Sequence, residues 1–308
     1  MTAAAPAGSR LQGTAARRRN ESVIRAILLG ASVLSVLISA GIVLSLIFQA
    51  FQFITSIELG QLLEDGWFPR RGLYSIPTVL VGSLLITVIA ISLAAPVGLA
   101  SAIYLSEYAR PRTRTIVKPI LEILAGIPSV VLGFFTLTVI NPSFVRGLFE
   151  DAKASTLLAA GIGVGILTIP LVASVAEDAM RAVPQSLREA SYGLGARRVT
   201  TSLRVVAPAA ISGIVAAVIL AVSRAIGETL IVALAAGATA GSLFTVNVLG
   251  PGQTLTGAMA SLATGSDNVT GDSSAFLSLF FLGFVLFMIT LALNLIGDVF
   301  VRRTRQRY

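Results

Sequence analysis

EDAMRAVPQSLREASYGLGARRVTTSLRVVAP, residues 177–208, is a charged stretch held between two long apolar runs. The runs on either side, 156–176 and 209–237, have the roughly 20 residues a helix needs to cross a hydrocarbon core. Arg181, Arg188, Arg197, Arg198 and Arg204 fill the stretch between them. A polar loop joining two membrane crossings is the arrangement implied, and the rest of the chain repeats it. Further apolar runs lie at 23–53, 77–104, 116–140 and 275–301, which makes six crossings.

Composition agrees. Hydrophobic residues make up 55% of the chain and charged residues 12%, against about 25% charged in soluble domains. Backbone groups in lipid must be hydrogen-bonded within the protein, and the alternation of a membrane β-barrel is absent, so the crossings are helices. The expectation is an all-α integral membrane protein with six transmembrane helices. A disordered tail occupies 1–22, a first transmembrane helix 23–53, and a core 77–301 containing the loop 177–208. A short tail, 302–308, closes the chain. The first run is too long for a cleaved secretory signal and reads as a retained helix.

Charge sets the orientation. Arg10, Arg17, Arg18, Arg19 and Arg25 precede or open the first run, and Arg110, Arg112, Arg114 and Lys118 sit between the second and third. With the five arginines of 177–208 and Arg302, Arg303, Arg305 and Arg307, 18 of the 23 basic residues share one side. Only Arg70, Arg71, Arg146 and Lys153 fall in the opposite loops. Basic loops stay in the cytoplasm, which places both termini and 177–208 there. Topology thus accounts for the net charge of +8. Nucleic-acid binding is excluded as its cause, because the basic residues are dispersed without aromatic interleaving or a base-reading motif.

Other chemistry is removed by what is missing. There is no Cys and no His, so disulfides, most zinc or other metal sites, and Ser–His–Asp or Cys–His catalysis are out. No G-x-x-x-x-G-K-[ST] occurs, so the chain has no P-loop of its own, and any ATP-driven process would bind its ATP on another polypeptide. No cofactor is expected on this chain, and no enzymatic activity.

The outer loops differ in character. The loop 54–76 carries Trp67, Phe68, Pro69 and Tyr74, suited to the headgroup level. The loop 238–274 is rich in Gly, Ser, Thr and Asn, has Asp267 and Asp272, and reads as an external loop that meets a partner or serves as a linker. Its Asn268-Val269-Thr270 matches the glycosylation sequon, a pattern common by chance.

Two charges stand where lipid should be. Arg224 lies about 15 residues into the run 209–237, roughly 22 Å along a helix. Glu228 follows at i+4 on nearly the same face. Each costs about 2.5–3.5 kcal/mol at mid-bilayer, so they must face the bundle interior or a wet cavity. They form either an ion pair that fixes packing or a substrate path in which Arg224 draws an anion and Glu228 positions it. Glu122, one turn after Lys118, is a second possible pathway residue, or else pairs locally with that lysine. Asp298 is expected to pair with Arg302. Pro96, Pro119, Pro128 and Pro170 fall within runs and should kink or break them. In LAGIPSVVLG, 124–133, the residues Gly126, Pro128, Ser129 and Gly133 either open backbone toward a cavity or pack helices closely. Gly161, Gly163 and Gly165 read as packing residues.

The heptapeptide EASYGLG at 189–195, nine intervening residues and VVAP at 205–208 resemble the EAA signature of ABC importer permeases, EAA-x3-G-x9-I-x-L-P. Ser191, Val205 and Ala207 depart from it by small or apolar exchanges. The resemblance implies a type I ABC importer permease fold, and a short cytoplasmic helix that docks on an ATP-hydrolysing subunit. Glu189, Ala190, Gly195 and Pro208 would belong to that coupling element. Gly195 suits a tight turn after the helix, and Pro208 the first turn of the next span. GLASAIYLSEYARPRTRTIVKPILEILAGIPSVVLGFF at 98–135 and SRAIGET at 223–229 are similar to the PstC-type permease of phosphate-specific importers. In that family the Arg and Glu of RA-x-GET belong to the phosphate pathway, which maps onto Arg224 and Glu228. The implied assembly holds inorganic phosphate as substrate, a PstA-type second permease, an ATPase dimer, an exported phosphate-binding protein and surrounding membrane lipid. The sibling PstA type, a permease for sulfate or molybdate, and a membrane regulator of phosphate sensing without transport are the alternatives.

Overall fold

The computed structural model describes residues 15–237, 241–264 and 274–304. Arg10, Asp267, Asp272, the tripeptide at 268–270, Arg305 and Arg307 lie outside the described residues. The chain divides into two units, 1–49 and 50–308. Helix α1 (Ala15–Ser56) opens at Ala15, inside the segment expected to be a disordered tail. Alanine and arginine are good helix formers, so a helix demanded by the apolar run extends back through them. In the first unit its side chains, from Val23 through Leu44, are exposed and apolar around the helix, a surface made for lipid.

The second unit strings together α2 (Ile76–Ile103), α3 (Pro111–Ala125), α4 (Ser129–Phe135), α5 (Leu157–Arg181) and α6 (Gln185–Gly193). It continues with α7 (Ile211–Ile226), α8 (Leu230–Ala235), α9 (Leu255–Ala263) and α10 (Ser274–Thr304). Helices α2 and α5 form its centre. Gly161 and Gly165 of α5 meet Ile89, Ala90 and Leu93, and Gly98 of α2 meets Val172. Small residues let two backbones approach, and that contact area drives association where water is absent. Gly163 does the same against Thr136 and Ile231, as the packing role predicts. Around them Ile86, Leu132, Leu157, Val164 and Ile231 make a buried core.

Among the described residues, five helices are long and apolar enough to cross a membrane. Two of the six expected crossings are not single helices. The run 116–140 is split: α3 ends at Gly126, and the crossing proper is 129–148, beginning with α4 and continuing through a π-helical stretch, Thr136–Val145. Pro128 has no N–H to give and disfavours helix at Ile127, so the chain breaks there. The charged α3 has no buried residue. The run 209–237 is divided into α7 and α8 by Gly227–Thr229, and α7 meets the segment before it at 72°. Pro208 sits ahead of that bend, in the turn Ala207–Ala209, rather than in the first turn of α7. Pro96, Pro119 and Pro170 lie inside continuous helices, contrary to expectation for a break. Proline is tolerated inside a membrane helix where neighbouring helices or local adjustment can satisfy the freed carbonyl.

Two loops contribute to the packed core. Strands β1 (Trp67–Phe68) and β2 (Leu73–Tyr74) pair antiparallel, and the buried Tyr74 ring meets Phe53 and Trp67 edge-on, at centroid distances of 5.0 and 6.0 Å. In the loop 238–274, the segment 252–258 is buried and opens into α9, pressed on α2 where Gly82 lacks a side chain. A Cβ there would lie 2.1 Å from the carbonyl oxygen of Gln253. Ser83 Oγ accepts the Leu255 N–H at 2.9 Å and fixes the contact.

Candidate functional site

The break at 227–229 has a built geometry. Glu228 turns its Oε1 onto the first backbone N–H groups of α8, accepting from Thr229 at 3.2 Å, Leu230 at 3.1 Å and Ile231 at 3.4 Å. These are the unpaired donors every helix start leaves, and a carboxylate meets them with favourable charge. Thr256 Oγ1 donates to the Glu228 carbonyl at 2.7 Å, tying the re-entrant segment to the break. Of the two readings for Arg224 and Glu228, the ion pair is not formed: none among the described residues joins them. The helix stops between the two, so the i+4 geometry no longer applies, and the carboxylate is engaged by backbone. Arg224 is exposed on α7, about 20 Å from Ile211 at 1.5 Å per residue. Pro128 and Ser129 form the cap and first residue of α4. Gly126 meets only its own preceding turn, whereas Gly133 packs on Ile231 and Leu234.

At the other end, the loop 177–208 is structured by buried charge. Helix α5 runs on to Arg181, which makes Glu177 part of the helix and fully buried. It binds Arg114 at 2.8 Å and Lys118 at 2.9 Å, and Lys118 also holds Asp178. Burial works against the Lys118 ammonium, but hydrogen bonds to Asp178 and Glu177 and their charge outweigh it, so its pKa stands above the ordinary lysine value. Glu122 therefore does not pair with Lys118. It is exposed, on the rim of a cavity of about 840 Å³ between α3, the end of α2 and α6. Asp298 pairs with Arg302 at 2.7 Å, as expected.

Helix α6 carries the motif. Glu189 and Ala190 face outward, and Leu194 is 90% exposed. Gly195 has φ +77°, the left-handed turn that closes the helix. Ser191 Oγ shares a buried hydrogen bond with Thr201 Oγ1 at 2.9 Å, locking the helix to the segment after the turn. Its third motif position is thus a hydrogen-bonding serine with a partner. Inward, Arg188 reaches the nearly buried Glu107 at 2.8 Å. Glu107, Arg188 and Glu177 escaped the sequence reading. Their only signal was an acidic residue just beyond an apolar run, with its partner far along the chain.

Residues 94–307 match the family model described as binding-protein-dependent transport system inner membrane component. The chain belongs to that family. Among the relatives of this inner membrane component is the probable ABC transporter permease protein YqgH of Bacillus subtilis, 36% identical over 68% of each chain. The phosphate transport system permease protein PstC of Mesorhizobium japonicum is 28% identical over 93% of this chain and 91% of that one. A solved bacterial alginate ABC transporter, in complex with its periplasmic protein, contains a chain that superposes with TM-score 0.64 at 14% identity, covering 93% of this chain and 98% of that one. That likeness is one of fold. The inner membrane component is a multi-pass, all-α membrane protein with the type I ABC importer permease fold.

Proposed function

We propose that this chain is one half of the pore of an ATP-driven importer of inorganic phosphate. The observation that carries the reading is Arg224, an exposed guanidinium deep along an apolar helix with no ion pair among the described residues. An intramembrane charge kept free has a ligand as its purpose. A guanidinium offers parallel N–H donors matched to phosphate oxygens. The PstC relative names the anion.

Glu228 has a complementary part. Its carboxylate occupies the N–H groups at the start of α8, which would otherwise hold a passing anion. A conducting site must bind well enough to admit the ion and weakly enough to release it. Arg224 supplies the first requirement and Glu228 the second. Glu122, Pro128 and Ser129 are further pathway candidates.

The assembly supplies the rest. A PstA-type permease completes the pore, an exported phosphate-binding protein delivers the anion, and both termini face the cytoplasm. ATP is bound by a dimer of a partner ATPase. Helix α6 docks there through Glu189, Ala190 and the bare Leu194 at its tip. ATP favours the closed dimer and so biases the pore between inward- and outward-facing states.

The test is ATP-dependent phosphate uptake in proteoliposomes holding this chain, its partner permease, ATPase and binding protein. Uptake that excess sulfate and molybdate leave intact supports the assignment. An intact, ATP-hydrolysing complex that carries sulfate or molybdate and not phosphate overturns the substrate, and one that carries none favours a sensing role.

A further inference from the structure

Two adjacent residues at the end of α2 clasp the motif-bearing loop. Beyond Ile103 the helix continues as a π-helical turn, Tyr104–Tyr108. Glu107 in that turn is 4% exposed in its side chain, and accepts from Arg188 Nη2 at 2.8 Å and from Ser106 Oγ at 2.8 Å. The same guanidinium donates to the carbonyls of Val183, at 2.7 Å, and Met180, at 2.9 Å. One arginine of α6 is thereby bonded to α2, to the end of α5 and to the linker between. On the far side of the Gly195 turn, Arg198 lies over the Tyr108 ring, 5.2 Å from its centroid. Both flanks of the exposed Leu194 knob are therefore held by α2, and π-helical turns of this kind concentrate at functional positions.

The other end of α2 is joined to the helix break through the segment 253–256. Ser83, roughly 36 Å up the same helix from Glu107, holds the Leu255 N–H, and Gly82 lets the Gln253 carbonyl rest directly on α2. The next residue, Thr256, donates to the Glu228 carbonyl. A chain of buried contacts thus runs from α6, through α2, to the residues beside Arg224.

We propose that α2 is the rod by which the cytoplasmic helix α6 acts on the break beside Arg224, with Glu107 and Thr256 as positioning residues at its two ends. This rests on the proposed docking of α6 to an ATPase. A displacement of α6 carries Arg188 with it and would strand the buried Glu107 carboxylate if α2 stayed in place, so it must move the end of α2. Helix α2 then carries the re-entrant segment, and Thr256 carries the Glu228 turn.

The chain has no cysteine, so a single one introduced at the exposed Leu230, beside the break, reports on it alone. Maleimide labelling of Leu230→Cys would be followed in the assembled complex with and without ATP. With wild-type contacts, ATP should change the labelling rate; no change overturns the proposal. In Glu107→Gln and Thr256→Val backgrounds, the ATP-dependent change should shrink by roughly tenfold, near the upper range for such contacts. ATPase binding and hydrolysis should stay at the parent's level. A full response in either background overturns the proposal, and so does loss of ATPase binding, since Glu107 would then shape the docking face instead. Because labelling needs no substrate, failure of phosphate uptake in the parent complex would count only against the assigned anion.

Discussion

Arg224→Gln should make the protein no less stable and abolish its transport. The structure separates these two effects because Arg224 has no ion pair among the described residues to lose. A guanidinium at mid-membrane costs about 2.5–3.5 kcal/mol on insertion scales, and removing it relieves most of that cost. Glutamine keeps a polar end of lower charge, so the expected change in stability lies between zero and about +3 kcal/mol. Transport moves the other way. Two charge-assisted hydrogen bonds to an anion are worth about 1.5–3 kcal/mol each, and their loss predicts a fall in uptake of at least roughly 100-fold. The assay pairs thermal unfolding of the purified complex with phosphate uptake in proteoliposomes. A lowered melting temperature with uptake within a few-fold of wild type would refute the reasoning and make Arg224 a packing residue.

Leu194→Asp should release the ATPase in a pull-down while membrane insertion is unchanged, because a charge replaces the exposed apolar tip of α6. Gly195→Trp should weaken the same pull-down, since φ +77° costs a residue with a Cβ about 1–2 kcal/mol; unchanged binding would count against docking by α6. Glu177→Gln should cost about 3 kcal/mol in thermal melting, the low end for a broken buried pair, because Arg114 and Lys118 keep side-chain exposures of 26% and 23%. A cost under about 1 kcal/mol would place that cluster among ordinary surface pairs. Gly82→Ala should destabilise by about 1–3 kcal/mol, because its Cβ meets backbone, which cannot rotate away. A neutral result would mean that the re-entrant segment does not rest on α2.

Hydropathy was informative about which stretches enter the membrane and poor about their continuity. The runs around Ile127 and Gly227 are apolar on both sides of their breaks, so a window sees one helix where there are two. Pro128 did signal its break, but Pro96 and Pro170 carry the same signal inside unbroken helices, so proline alone does not tell a break from a continuous helix. The segment 252–258, with Gly252, Gln253 and Thr254, is too short and polar to register as buried. It is tolerated at depth because protein, and not lipid, surrounds it. The pairs that organise the cytoplasmic end were invisible for another reason. Glu107 and Arg188 lie 81 residues apart and Lys118 and Glu177 59 apart, distances at which local periodicity is silent.

The placement of charge has a common logic. Glu107 and Glu177 are buried at the end that carries α6, and each is met by cations from a different element, so they bind segments together. Glu228 is met by the backbone of its own chain, which commits its Oε1 to the helix break. Arg224 differs: it is exposed and has no ion pair among the described residues. A bundle built for stability alone would have paired it with Glu228 on one unbroken helix. Breaking the helix gives up that pair, and the free guanidinium it leaves is the arrangement an anion path requires.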